Sequence, residues 1–286
     1  MTPPIGILGG SGLYAMEGLD VHERRSVPTP FGSPSGPLVL GTLDGTPVAF
    51  LARHGEGHRF TPSEVNYRAN IWALKFVGVQ TLISISAVGT LQDAHHPGTL
   101  RLPGQFIDRT HLRAATFFGD GIVAHVGFSD PVCPCLTETL LATGRELNLP
   151  LEPCGAYVCM EGPAFSTRAE SLLHRSWGAD LIGMTQATEA KLAREAELCF
   201  ATVALVTDYD AWREDQGGVE NHDVLAVVAA NVKTVQNLLR HAVGRVAPEP
   251  ACRCRRALAG AIMTSPEAMP GASRDKLHLL LGKYGH

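Results

Sequence analysis

The apolar residues of this 286-residue chain fall into short, nearly unbroken runs, separated by loops rich in glycine and proline. "IGILG", "PLVLGTL" and "PVAFLARHG" read as strands. The segment "VPTPFGSPSGP" between the first two is too rich in proline for a helix. "VQTLISISAV" is apolar without alternation, the pattern of a strand buried on both faces. A helix is predicted before it. Thr61 is its N-cap, Pro62 its first helical residue and Glu64 the partner in a T-x-x-E capping box. Val65, Ala69, Trp72 and Phe76 then recur at helical spacing, and Gly78 ends the run.

Further along, "TETLLATGREL" reads as a helix and "CGAYVCMEG" as a strand, and Thr167 with Glu170 forms a second capping box opening "RAESLLHRSWG". "ADLIGMT", "TEAKLAREAEL" and "CFATVALVTDYD" make a strand–helix–strand unit, and a long amphipathic helix is predicted from about His222 to Val243. The tail after Pro248 is irregular, with a last helix in "RDKLHLLL". Without a repeat or a separating linker, one α/β domain is expected: a body of residues 1–247, and a tail of residues 248–286 belonging to it.

Composition adds exclusions. At 45% hydrophobic and 18% charged residues, the chain has the make-up of a globular protein. Its net charge is −4 and its one basic run is "CRCRR", which argues against a nucleic-acid partner. No stretch approaches the ~20 apolar residues of a membrane span. The N-terminus lacks the positive lead of a signal peptide, so a cytoplasmic location is expected. The seven cysteines are Cys133, Cys135, Cys154, Cys159, Cys199, Cys252 and Cys254. They include two C-x-C pairs but no C-x-x-C, and on that spacing no metal is expected.

Gly10-Ser11-Gly12-Leu13-Tyr14-Ala15 matches G-x-G-x-x-A, but the proline-rich segment that follows forbids the helix and second strand of a dinucleotide fold. A loop whose amides converge on an anion remains, with Ser11 adding a hydroxyl. Arg53 and His54 end one strand, Ser86 and Ala87 end the central one, and Thr185 lies where a strand gives way to a helix. Arginine forks, histidine donors and hydroxyls at strand ends suit a phosphate. In "VTDYDAW", Asp208 and Asp210 stand two apart. If extended, both carboxylates face one way, and their proximity favours a proton on one of them.

"IGILGGSGLY", "TPFGSPSG", "LARHGEGH", "VNYRANIWALK", "SAVGTL", "QFIDRT", "EGPAFSTRAES", "GADLIGMT" and "LVTDYDAW" occur in the order found in 5′-methylthioadenosine phosphorylases, within the purine nucleoside phosphorylase superfamily. The resemblance covers roughly the first 225 residues. It implies an α/β fold around a mixed, barrel-like sheet flanked by helices, assembled as a homotrimer or homohexamer with sites near subunit interfaces. It also implies cleavage of methylthioadenosine by phosphate, with no cofactor beyond that co-substrate. Phosphate would meet Ser11, Arg53, His54, Ser86, Ala87 and Thr185. Met184 would pack on the ribose, while Phe165, Ser166, Asp208, Tyr209 and Asp210 would hold the purine. His58, and His125 from a neighbouring subunit, would lie near the ribose or its 5′ group. Asp208 would donate to the five-membered ring of the base, and Asp210 would accept from a 6-amino group.

Apolar residues at the start of the helix after "DYDAW" would meet the methylthio group. Val224 and Leu225 fit, while Asn221 stands where a small apolar residue is usual and works against strict methylthio selection. Gly183 stands where Asn is frequent, which would loosen the ribose pocket. The alternatives are a broader purine nucleoside or methylthioinosine phosphorylase, which the two aspartates disfavour, and a nucleosidase, which would lack the Arg53–His54 pair.

Overall fold

The computed structural model describes residues 2–10, 13, 16–213, 221–247 and 251–285. Its strands are β1 (Ile5–Gly9), β2 (Leu19–Arg25), β3 (Leu38–Leu43), β4 (Thr46–Ala52), β5 (Thr81–Thr90), β6 (Leu100–Asp108), β7 (Leu151–Cys159), β8 (Leu181–Gly183) and β9 (Cys199–Asp208). They form one mixed sheet in the order β2-β3-β4-β1-β5-β8-β7-β6-β9, and β9 also pairs with β5. That pairing closes β5, β8, β7, β6 and β9 into a barrel, from which β1, β4, β3 and β2 extend as a wing. The helices are α1 (Tyr67–Phe76), α2 (Pro134–Glu146), α3 (Arg168–Ser176), α4 (Gln186–Glu195), α5 (Asn221–Val243), α6 (Gly271–Lys276) and α7 (His278–Leu281).

Alternation explains the unbroken apolar runs. Ile5 and Ile7 of β1, Ile83 and Ile85 of β5, and Val203 and Leu205 of β9 point into a core shared with α2 and α5. Leu8, Leu82 and Phe200 of the same strands point the other way, into a core with α1, α4 and the C-terminal helices. Both faces are covered, so both must be apolar.

Three local expectations are corrected. Helix α1 starts at Tyr67, not at Pro62. Thr61 and Glu64 do bond to each other (2.8 and 2.9 Å), but they close a separate turn. The cap is Asn66, whose Oδ1 accepts from the Ala69 amide while its Nδ2 donates to Phe31 O at 2.7 Å; tying the proline-rich segment down resets the chain there. The C-terminal helix splits at Leu277 into α6 and α7. Strand β2, "LDVHERR", carries no sequence signal because it is an exposed edge, where charges discourage further pairing. The second capping box, Thr167 with Glu170, forms as expected at α3.

Strands β4, β1, β5 and β9 are parallel neighbours, so their C-terminal ends gather at one edge. β8 runs antiparallel to β5 and delivers α4 to the same region. No helix among the described residues is long and apolar enough to cross a membrane.

Candidate active site

β1 and β4 stop level with the middle of β5, since Leu8 pairs with Ser84 and Gly9 with Ala52. β5 does not end at Ser86 and Ala87 as expected. It runs on beside β9 to Thr90, because β9 continues the pairing past the ends of β1 and β4, and Ala87 is its one exposed position. Ser86 therefore sits beside the ends of β1 and β4, while Gly89 pairs with Asp208. Three residues of strand separate the two, about 10 Å. One end of this groove collects Arg53, His54 and Ser86; the other holds the aspartates. From Ile182, opposite Gly89, β8 runs back along β5 towards Ser86, so Met184 and Thr185 reach the first end. Ser11 and the rest of the glycine loop's ligand face, along with the side chains of Asn221, Val224 and Leu225, lie outside the described residues.

Arg53 is nearly buried, at 4% exposure, and its fork is already engaged. Glu189 of α4, fully buried, accepts from Arg53 Nε and, at 3.2 Å, from Nη2. Nη2 also donates to Ser84 Oγ (2.6 Å), and Nη1 donates to Ile85 O (2.9 Å). Nη1 carries a second hydrogen with no partner among the described bonds. Arg53 thus offers an anion its charge and one N–H rather than the bidentate fork read from sequence. Glu189 also accepts from Ser84 Oγ (2.6 Å) and from Gln186 Nε2 (3.2 Å), and Thr202 Oγ1 donates to Gln186 Oε1 (2.6 Å). Gln186 Nε2 further donates to Thr185 Oγ1 (3.1 Å), so this network supports the residue at the start of α4, where amides and the helix dipole favour an anion.

His54 corrects a second expectation. Its Nδ1 lies 2.8 Å from Phe60 O and must donate there. Burial, then the Arg53 charge, lowers its pKa to about 4, so the ring is neutral and Nε2 is an acceptor. In that state Nε2 can accept a hydrogen bond but has no proton to donate to an anion's oxygen. The exposed His58 stacks on it, with ring centroids 4.4 Å apart.

At the other end, β9 stops at Asp208 and the chain turns. Asp210 has φ of 49°, and its amide donates to Asp208 Oδ1 at 2.8 Å. The two carboxylates are therefore set by an Asx turn rather than by extended alternation. Thr207 Oγ1 donates to Asp208 Oδ2 at 2.7 Å, yet burial, reinforced by the Asp210 charge, holds the Asp208 pKa above the usual carboxylate range. Asp210 is 7% exposed, and its Oδ2 has no hydrogen-bond partner among the described residues. Trp212 Nε1 donates to Thr90 O (2.8 Å), with Arg175 stacked 3.8 Å above its ring, and this pins the loop.

The remaining residues differ in placement. Met184 O accepts from Arg113 Nη1, and Arg113 is itself paired with Glu161 (3.0 Å). Ser166 Oγ bonds Met160 Sδ (3.7 Å), Phe165 is 40% exposed and Tyr209 Oη bonds His96 Nδ1 (2.8 Å). His125 is exposed, and its amide donates to Ala261 O in the tail, so its described contacts lie away from the strand ends. A Cβ on Gly183 would lie 2.0 Å from Tyr157 Oη, so a tyrosine fills the space and the expected loosening is absent. That hydroxyl is buried, with the Ser86 side chain beside it. Sequence reading missed Tyr157, Glu189 and Arg113. The signal for Glu189 was a carboxylate set between Ala187 and Ala190, in a helix that buries every position except Lys191.

A family model described as the phosphorylase superfamily matches residues 4–244. The S-methyl-5′-thioadenosine phosphorylase of Koribacter versatilis is 53% identical over 99% of this chain and 97% of its own length. That of Thermosynechococcus vestitus is 53% identical over 99% and 100%. Among solved structures, a methylthioadenosine phosphorylase from an antarctic soil metagenomic library superposes with a TM-score of 0.91 at 46% identity, covering 98% of this chain and 99% of that one. A mutant of the adenosine/methylthioadenosine phosphorylase of Schistosoma mansoni, in complex with methylthioadenosine, superposes at 0.85 with 33% identity over 94% and 100%. The chain belongs to the phosphorylase superfamily, within its S-methyl-5′-thioadenosine phosphorylase branch.

Proposed function

We propose that this chain catalyses the reversible phosphorolysis of 5′-methylthioadenosine to adenine and 5-methylthioribose 1-phosphate. The observation that carries the base assignment is the buried Asp210 Oδ2, which has no donor among the described residues, beside an Asp208 whose pKa burial raises above the usual carboxylate range. A buried acceptor of this kind calls for an N–H, which a 6-amino purine supplies. Phosphate occupies the end marked by Arg53, His54, Ser86, Ala87 and Thr185, with Ser11 as a further ligand on the strength of the sequence resemblance. Its oxygen attacks the anomeric carbon as the glycosidic bond breaks, and its charge stabilises the oxocarbenium-like ribose. Asp208 delivers its proton to the five-membered ring as electrons collect on the leaving base. Met184 and Tyr209 flank the nucleoside, with Phe165 and Ser166 at the purine.

The reading includes a homotrimer or homohexamer, in which His125 reaches a neighbour's site beside His58. It also places Asn221 and Val224, at the start of α5, against the 5′ group. No metal or organic cofactor enters the chemistry. A 6-oxo group facing Asp210 sets acceptor against acceptor, at about 1–3 kcal/mol, or roughly 5- to 150-fold. Methylthioadenosine should therefore outrun methylthioinosine in kcat/KM by that margin. Equal rates, or a preference for the inosine analogue, would remove Asp210 from base recognition.

A further inference from the structure

The seven cysteines do not scatter as their spacing suggested. None is disulfide-bonded, and the thiols of Cys133, Cys199, Cys252 and Cys254 lie within 4.8 Å of one another. All four are buried, at 1%, 7%, 6% and 1% exposure. They come from three places: Cys133 is the N-cap of α2, Cys199 begins β9, and Cys252 and Cys254 flank the start of a 3-10 turn in the tail. Spacing rules miss such a group, because they detect ligands supplied by one local knuckle.

We propose that these four thiols are the ligands of a structural zinc ion. Cys252 Sγ stands 3.7 Å from Cys133 Sγ and 3.6 Å from Cys199 Sγ, so it favours neither as a partner. Zinc–sulfur bonds of about 2.3 Å in a tetrahedron place ligand sulfurs about 3.8 Å apart, close to the two distances from Cys252 and inside the 4.8 Å that bounds all four. All-thiolate, tetrahedral coordination closed to solvent selects zinc among common divalent ions and leaves no open position for catalysis. Binding converts four thiols to thiolates and releases their protons to solvent, which leaves a −2 complex. Arg194, 7% exposed and acting electrostatically on Cys254, supplies nearby positive charge.

The site's place in the fold gives it a role. It ties the tail to the start of β9, the strand whose far end carries Asp208. The same tail pairs Ile262 with Ala124 and accepts from the His125 amide. Zinc would thus hold the tail against the barrel and, through it, the segment bearing His125.

The test is metal analysis of the full-length chain, purified under reducing conditions without added metal. One zinc per chain is expected. It should be lost in Cys133→Ser and in Cys254→Ser but kept in Cys135→Ser, whose thiol lies outside the cluster. Because core variants can fail to fold, Co2+ exchanged into the unaltered chain provides a second readout, expected as the intense visible bands of a tetrahedral thiolate site. A metal-free chain that takes up no Co2+ would overturn the proposal. So would an intact mass lower by two hydrogens per bond, which would mean the thiols pair as disulfides.

Discussion

Replacing Glu189 with glutamine probes how the phosphate end of the groove is built. Glu189 and Arg53 are 0% and 4% exposed, so neither can turn to water when its partner is lost. Four donors converge on the two Glu189 oxygens: Arg53 Nε and Nη2, Ser84 Oγ and Gln186 Nε2. A glutamine amide placed at either oxygen sets its own N–H groups against an arginine N–H. Breaking a buried pair by neutralising one partner costs about 3–5 kcal/mol, because the other charge stays buried and uncompensated. That is a large part of the roughly 5–15 kcal/mol by which a domain is stable. Equilibrium urea unfolding should therefore show a much lower midpoint for Glu189→Gln with an unchanged slope. In whatever folds, KM for phosphate should rise more than kcat falls, since Arg53 loses its positioning partner. A midpoint shift worth less than about 1 kcal/mol, or an unchanged phosphate KM, would refute the reasoning.

Gly183→Ala would place a methyl 2.0 Å from Tyr157 Oη, and overpacking of this kind costs about 1–3 kcal/mol. Thermal unfolding should reveal that loss, with partial recovery when Tyr157→Phe is added; a neutral Gly183→Ala would contradict the packing. Asp210→Asn should move preference from 6-amino towards 6-oxo nucleosides, as read from paired kcat/KM values, and an unchanged ratio would count against the base assignment. His54 is held neutral in the fold, at a pKa of about 4 against an ordinary 6.5. Its folded value is the lower, so the unfolded chain binds the proton first, and stability falls as pH drops from 6.5 towards 4. The 2.5-unit gap corresponds to roughly 3 kcal/mol. A His54→Gln variant should lose that part of the pH dependence; an identical profile would show that the histidine is not buried neutral.

What was legible in the sequence follows from which faces are covered. β1, β5 and β9 read plainly because both of their faces meet core, leaving no polar positions to confuse the pattern. β2 was invisible because an edge strand carries charge for the same physical reason that a loop does. Thr61 and Glu64 looked like a cap and do bond to each other. Asn66 displaced them through a contact with Phe31, 35 residues away, that no local rule contains. At the site, Arg53 and His54 do follow the end of β4, but Ser86 and Ala87, read as ending the central strand, lie within β5, and the states of these side chains were not legible. The fork of Arg53 is engaged by a glutamate 136 positions on, and the direction of the His54 hydrogen bond is fixed by a carbonyl. The aspartate pair was read correctly as close, but wrongly as extended. The four-thiol cluster escaped because its members come together only when the tail folds back onto the barrel.

The central claim is that phosphate is the nucleophile, and the direct measurement is the initial rate of adenine release from methylthioadenosine with and without inorganic phosphate. The account predicts rapid release that depends on phosphate and saturates with it, accompanied by one equivalent of 5-methylthioribose 1-phosphate. Release at the same rate without phosphate, yielding the free sugar, would contradict it and make the strand-end residues something other than a phosphate cradle.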